Sequence, residues 1–191
     1  FPHALTGITD ENGQRFATYA YDAQGRAILS EHAGSAERIE LVYHSDGSTT
    51  VTDALGTDRA YGFQTVLGVV KGTGISQPGG AGCGASSSAV SHDANGNVAR
   101  SDDFNGHRTR YWHDLVRNLE TTHVEGLSLA NGNETAGLET RTLTTEWHPD
   151  WRLPTAEKTY TGGADSAGQP LGILVKTVTS TAVESYGVVS I

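Results

Sequence analysis

Tyr21-Asp22-Ala23-Gln24-Gly25-Arg26 decides how this chain is read, because the phrase comes back. It returns as Tyr43-His44-Ser45-Asp46-Gly47-Ser48 and as His92-Asp93-Ala94-Asn95-Gly96-Asn97. Looser copies stand at His113-Asp114-Leu115-Val116-Arg117-Asn118 and Trp147-His148-Pro149-Asp150-Trp151-Arg152. One such unit has too little apolar surface to bury by itself, so the self-similarity predicts an array. The copies begin at 21, 43, 92, 113 and 147, giving steps of 22, 49, 21 and 34. The short steps fit two strands plus turns, and the long ones imply insertions or degenerate units.

A second Gly closes each of the first four copies 13 or 14 residues after its start, at Gly34, Gly56, Gly106 and Gly126. Between the two positions the residues alternate or are β-branched, as in Ser48-Thr49-Thr50-Val51-Thr52-Asp53 and Arg26-Ala27-Ile28-Leu29-Ser30, a strand signature. Asp53-Ala54-Leu55-Gly56 and Asp103-Phe104-Asn105-Gly106 read as turns, with Gly supplying positive φ and Asp bonding the local backbone. The Thr- and Val-rich runs 140–147 and 172–179 read as further strands. The expected fold is all-β, an antiparallel strip of hairpins. The expected layout is a single array over 1–191 with units near 13–34, 35–56, 91–106, 107–126 and 140–160. A Gly/Ser-rich insertion is expected at 72–90, and loops at 127–139 and 161–172.

The composition agrees: 36% hydrophobic, 7% aromatic and 24 glycines suit short strands and tight turns better than wide helical faces. A net charge of −9 without a Lys/Arg cluster argues against a nucleic-acid partner and against anionic membranes. No apolar run approaches the about 20 residues that span a bilayer, so membrane insertion is not expected. The lone Cys83 sits in a Gly/Ser-rich stretch and has no second Cys in the chain for a disulfide. The opening Phe1-Pro2 and the absence of Met suggest an excerpt from a longer polypeptide.

The repeated phrase, with His92 to Val98, Asp103 to Gly106, Trp147 to Pro154 and the link Val51 to Phe63, closely resembles the YD repeats of bacterial Rhs proteins over roughly residues 5–160. Related repeats occur in insecticidal toxin-complex subunits and in teneurins. The resemblance implies a segment of a spiral β shell around a toxic polypeptide, with the repeats as scaffold and the chemistry elsewhere. It also implies a secreted or cell-surface bacterial protein whose partners are other repeats of the same parent chain and a toxin cargo. No segment resembles the family's self-cleaving core, so the resemblance implies a stretch from the repeat body. Tyr21, Asp22, Gly25, Arg26, Tyr43, Gly47, Asp93, Gly96, Asn97 and Trp147 are the residues expected to define the repeat. Their aromatics are expected to stack on neighbours, and Arg26 to reach a carboxylate of the adjoining unit. Arg117 and Trp151 stand where the turn Gly is needed, and positive φ there would be strained.

The chain lacks His-Glu-x-x-His, Cys-x-x-Cys, Gly-x-Ser-x-Gly and phosphate-loop signatures, so no catalytic residue and no cofactor are expected. Asp93-Ala94-Asn95-Gly96-Asn97 begins like a calcium loop, but Val98 and Phe104 stand where Gly and Glu are required. A column of His44, Asp46, His148 and Asp150 as a metal site is outweighed by solvated turn residues, and no metal is expected. Asn133-Glu134-Thr135 matches a glycosylation acceptor and is read as a loop. A non-enzymatic structural segment is the leading reading. Its rival is an adhesin-like surface that binds a protein at its sheet edges or a cell-surface glycan by stacking on Trp112 and Trp151. An enzymatic toxin is the weakest reading.

Overall fold

The computed structural model describes residues 2–130, 132–183 and 188–190. Their regular elements are strands apart from one 3-10 turn at Ala33–Ser35. Cα packing divides the chain into two compact units, Phe1–Thr65 with Val70–Ser87, and Ser88–Ile191 with Val66–Val69. In the first unit β1 (Gly7–Thr9), β2 (Arg15–Tyr21), β3 (Ala27–His32), β4 (Ala36–Tyr43), β5 (Thr49–Thr52), β6 (Asp58–Val66) and β7 (Val69–Gln77) lie side by side in chain order. In the second, the same holds for β8 (Ser86–His92), β9 (Val98–Asp102), β10 (His107–Asp114), β11 (Leu119–Ala130), β12 (Asn133–Trp147), β13 (Pro154–Thr161) and β14 (Leu174–Thr179). β15 (Thr181–Val183) and β16 (Val188–Ser190) form a separate pair. Pairing is antiparallel, so the fold is all-β and each unit is a strip of hairpins.

Among the described residues the strips share one turn, used six times. At Asp10, Asp22, Asp53, Asp93, Asp103 and Asp165 the Oδ1 atom accepts the N–H groups two and four residues further on, at 2.8–3.0 Å. The Gly three residues on donates to the Asp carbonyl, and the Asp N–H donates to the carbonyl four residues on. This is a type I turn closed by a bulge whose Gly must be left-handed, and φ at the six glycines lies between 76° and 81°. Each carboxylate thus satisfies two turn donors that would otherwise depend on water. At Gly106 a Cβ would meet nothing within 4 Å, so Gly106→Ala isolates the conformational cost. It is expected to lower stability by about 1 kcal/mol in urea denaturation, with Gly106→Asn costing less.

Where the motif departs from Asp-x-x-Gly, the backbone finds other solutions. His44 keeps the same backbone bonds, and the side-chain role passes to Asp46, whose Oδ1 accepts the Ser48 N–H at 2.9 Å. In the fourth copy Asp114 accepts from Val116 and Arg117, and the left-handed residue is Asn118, with φ 51°. In the fifth the turn widens, the His148 N–H bonding the Leu153 carbonyl, while His148 Nδ1 accepts the N–H groups of Asp150 and Trp151 at 3.2 and 3.3 Å. Neither Arg117 nor Trp151 takes positive φ, so the strain expected at them does not arise.

Two stretches expected to be irregular carry strand. The stretch 127–139 is expected as a loop, yet residues 127–130 belong to β11 and residues 133–139 to β12. Between the pairs Glu125↔Arg141 and Leu127↔Ala136, Gly126 faces residues 137–140. Gly126 has φ 72° and an ideal Cβ would stand 3.0 Å from the Glu139 carbonyl, so the bulge requires Gly on both counts. Within 72–90, residues 72–77 belong to β7 and 86–90 to β8, leaving 78–85 as the Gly-rich connection with an exposed Cys83.

Burial is sparse. Among the described residues the buried apolar side chains are Ala17, Leu119, Val124, Leu127 and Ala156. Most of these lie in β11 and β13, beside β12, whose Thr140 and Thr142 are fully buried. Both hydroxyls are satisfied: Thr140 Oγ1 donates to the Gly126 carbonyl at 2.9 Å and Thr142 Oγ1 to the Gly162 carbonyl at 2.8 Å.

Candidate functional site

The repeat-defining residues form links between successive strands. Tyr21 Oη donates to the Leu5 carbonyl and Tyr43 Oη to the Ala27 carbonyl, each at 2.9 Å and each 16 residues back along the chain. Trp147, in the same place of its copy, donates from Nε1 to the Glu120 carbonyl at 2.7 Å. Three half-buried side chains of two chemical types thus make one bond, from the end of a strand to an earlier backbone carbonyl: on β3 for Tyr43, on β11 for Trp147 and just ahead of β1 for Tyr21. His replaces the aromatic at 113, where Nδ1 lies 3.6 Å from Asp93 Oδ2.

Arg26 corrects an expectation. It does not reach a carboxylate of the next unit. Its Nε bonds Asp22 of its own turn at 2.7 Å, and its guanidinium carbon lies 4.1 Å from the centroid of Tyr43. The units meet through a cation over a ring, which takes the place of the expected ring-on-ring stack. Desolvation opposes ionisation of Asp22, but the turn N–H groups and Arg26 outweigh it and hold the carboxyl below the usual range. Asn97 repeats the arrangement without charge, bonding Asp93 Oδ2 at 2.9 Å and Asn118 Oδ1 of the following turn at 3.2 Å.

The turns of the second unit are sewn together along one strand end. Asn95 Nδ2 donates to the Leu115 carbonyl and to Asn118 Oδ1. Arg117 Nη2 donates to the Trp151 carbonyl at 2.8 Å, and Arg152 Nη2 returns a bond to the Arg117 carbonyl at 2.6 Å. Trp151 is 45% exposed and stacks on His148, with ring centroids 4.6 Å apart.

Trp112, paired with Trp151 in the glycan reading, is placed differently. It lies on β10, its Nε1 donates to the Ser166 carbonyl at 3.2 Å, and Gly168 packs so closely on the indole that a Cβ there would stand 2.8 Å from Cγ. The covering segment is built on the sixth Asp turn, Asp165-Ser166-Ala167-Gly168, which the sequence reading missed although the same four-residue pattern recurs upstream. On the same strand as Trp112, Arg108, only 11% exposed, binds both oxygens of Asp102 at 2.6 and 2.7 Å and Glu134 at 2.6 Å. Arg110 joins Glu134 at 3.0 Å. Sequence reasoning missed this cluster because β9, β10 and β12 supply its members, and Arg108 and Glu134 alone stand 26 residues apart.

In the first unit Leu41, Tyr43, Val51, Tyr61, Phe63 and Val70 line an apolar groove of about 430 Å³. On β11, His123 Nδ1 lies 2.6 Å from Glu120, and this hydrogen bond raises the imidazole pKa against the opposing effect of burial. A raised folded-state pKa contributes stability that is complete below the unfolded value of about 6.5 and is lost as pH rises through the folded value. The second unit is therefore expected to melt earlier at about pH 8.5 than at about pH 5.5, with His123→Gln flattening the difference. As for chemistry, the described residues hold no group of three or more His, Cys, Asp or Glu suited to a metal. His44 Nε2 pairs with Thr50 Oγ1, and Asp46 is engaged by Ser48.

The sequence family described as RHS Repeat matches residues 3–35, which run from before β1 through the 3-10 turn and contain the first copy. No curated protein matches the chain. Among solved structures, the chain is similar to one in the crystal structure of TcdB2-TccC3-Cdc42 at TM-score 0.54 and 14% identity, covering 96% of this chain and 10% of that one. A chain of TcdB2-TccC3-TEV aligns at TM-score 0.48 and 14% identity over 86% and 9%. A chain of the Photorhabdus luminescens Tc holotoxin pore aligns at TM-score 0.23 and 11% identity over 89% and 11%. This chain thus spans about a tenth of the length of the solved chains it resembles.

Proposed function

We propose, from the match of residues 3–35 to the RHS Repeat family, that the whole chain is a non-enzymatic structural segment, a length of β wall in a secreted toxin-associated polypeptide. In this reading the other copies are repeats of the same kind, and the wall encloses or flanks an effector. One observation carries it: the residues that recur are spent on turns and on bonds between successive strands, as Asp22, Asp93, Tyr21, Tyr43 and Trp147 are. None is held as a catalytic group would be, with a nucleophile beside an oriented base.

A wall segment has faces for other parts of its assembly to cover, and the apolar groove of the first unit supports that reading. Hydroxyl-radical footprinting tests this. Tyr61 and Phe63 are expected to label strongly in the isolated chain and to be protected within the longer polypeptide that carries it. Equal labelling in both settings would reject the wall.

A further inference from the structure

The face of the second unit that carries the Arg108 cluster also carries an arrangement that a purely structural sheet has reason to avoid. Arg100 on β9 and Arg110 on β10 are direct cross-strand partners. Like charges directly opposite each other destabilise a sheet. The surrounding carboxylates do not balance them: Arg100, Arg108 and Arg110 share Asp102 and Glu134, leaving one positive charge in a chain whose net charge is −9. The imbalance falls on Arg100. Its Nε is buried and has no hydrogen-bond partner, the Asp102 oxygen lying 3.7 Å away. An unsatisfied buried donor of a charged group is costly, and native proteins keep few of them.

Those two arginines line a groove of about 250 Å³ together with Ser91, Ala99, Tyr111 and Trp112. Ser91 is the cross-strand partner of Arg100 on the other side, so a hydroxyl, two guanidiniums and an indole belong to one small concavity. A guanidinium fork suits a carboxylate, and an indole wall suits a ring. The volume is below that of sites for drug-sized ligands and admits one ring. A single surplus charge matches a monoanion, and the acidity of the chain as a whole repels polyanions.

We infer that this groove is a binding site for a monocarboxylate carried on one ring, with Arg100 and Arg110 taking the carboxylate and Trp112 the ring. The site does not depend on the wall role proposed above. A ring with a carboxylate comes from two sources, a single uronic acid on an otherwise neutral glycan or an aromatic acid, and the test separates them.

The chain is titrated with sodium glucuronate, sodium benzoate and glucose, following tryptophan fluorescence and melting temperature. At least one carboxylate is expected to give a saturable fluorescence change and to raise the melting temperature, while glucose does neither. Response to glucuronate alone identifies the sugar acid, and response to benzoate alone the aromatic acid. Arg100→Gln is expected to weaken binding at least tenfold while leaving the unliganded melting temperature unchanged or higher, since it removes a like-charge pair. Trp112→Phe is expected to weaken binding less. The inference is overturned if neither carboxylate gives a saturable response, if glucose binds as well as glucuronate, or if Arg100→Gln binds as the wild type does. Should that variant not fold, the wild-type titrations decide by themselves.

Discussion

Arg108→Ala is expected to cost about 3 kcal/mol in urea denaturation, the largest loss expected from a single charged side chain among the described residues. The guanidinium makes a two-point bond to Asp102 at 2.6 and 2.7 Å and a third bond to Glu134 at 2.6 Å. The side chains of Arg108 and Asp102 are only 11% and 12% exposed. An exposed pair would contribute at most about 1 kcal/mol. Here truncation leaves Asp102 nearly buried with only Arg100 at 3.7 Å, whereas Glu134 retains Arg110 at 3.0 Å. The penalty therefore comes mainly from the stranded Asp102, and Asp102→Ala in the same background should recover part of it, a coupling that a double-mutant cycle measures. Arg108→Lys keeps the charge and loses the fork, so an intermediate loss is expected. A change under about 1 kcal/mol for Arg108→Ala would mean that water screens the cluster as it screens surface pairs.

Trp147→Ala is expected to cost a similar amount, about 3 kcal/mol, for a different reason. The ring is half-buried at the end of β12, so truncation removes apolar contact, and it also removes the Nε1–H bond to the Glu120 carbonyl on β11. The two contributions separate by substitution. Trp147→Phe keeps a ring and loses the donor, which should cost about 1 kcal/mol more than Trp147→Tyr if the tyrosine hydroxyl reaches the carbonyl as Tyr21 and Tyr43 do in their copies. If Phe and Tyr are equivalent at 147, the shared bond is incidental and packing alone holds the aromatic position.

The fold was legible because its signals are local. An Asp that bonds N–H groups two and four residues on, and a Gly three residues on at positive φ, leave their trace within five residues of sequence, and Asp22, Asp53, Asp93 and Asp103 could be read from it. The segment 127–139 defeated the same reading. Gly132 and Gly137 have the composition of a loop, while the strand is kept by pairing to β11 across the bulge at Gly126, a partner that no local pattern names. Arg117 and Trp151 misled in the opposite direction. Their copies lack the turn Gly, and the chain avoids strain by moving the left-handed residue to Asn118 or by widening the turn around His148.

The candidate site was less legible still. Trp112 and Trp151 were picked for their ring faces, but only the contacts show that Trp112 lies under Gly168 and beside Arg100 and Arg110, while Trp151 stacks on His148. Cross-strand partnership, such as Arg100 opposite Arg110, depends on register, and the register of β9 and β10 is set by the Asp103 turn between them.

Native-state hydrogen exchange tests most directly the claim beneath all of this, that each strand is held by its chain neighbours through Asp turns and aromatic donors. The account predicts slowest exchange in β11, β12 and β13, around the buried Val124, Thr140, Thr142 and Ala156, and in Trp147→Ala a loss of protection confined to those strands. Fast exchange throughout β11 to β13, or a loss in Trp147→Ala that spreads evenly over the chain, would contradict it.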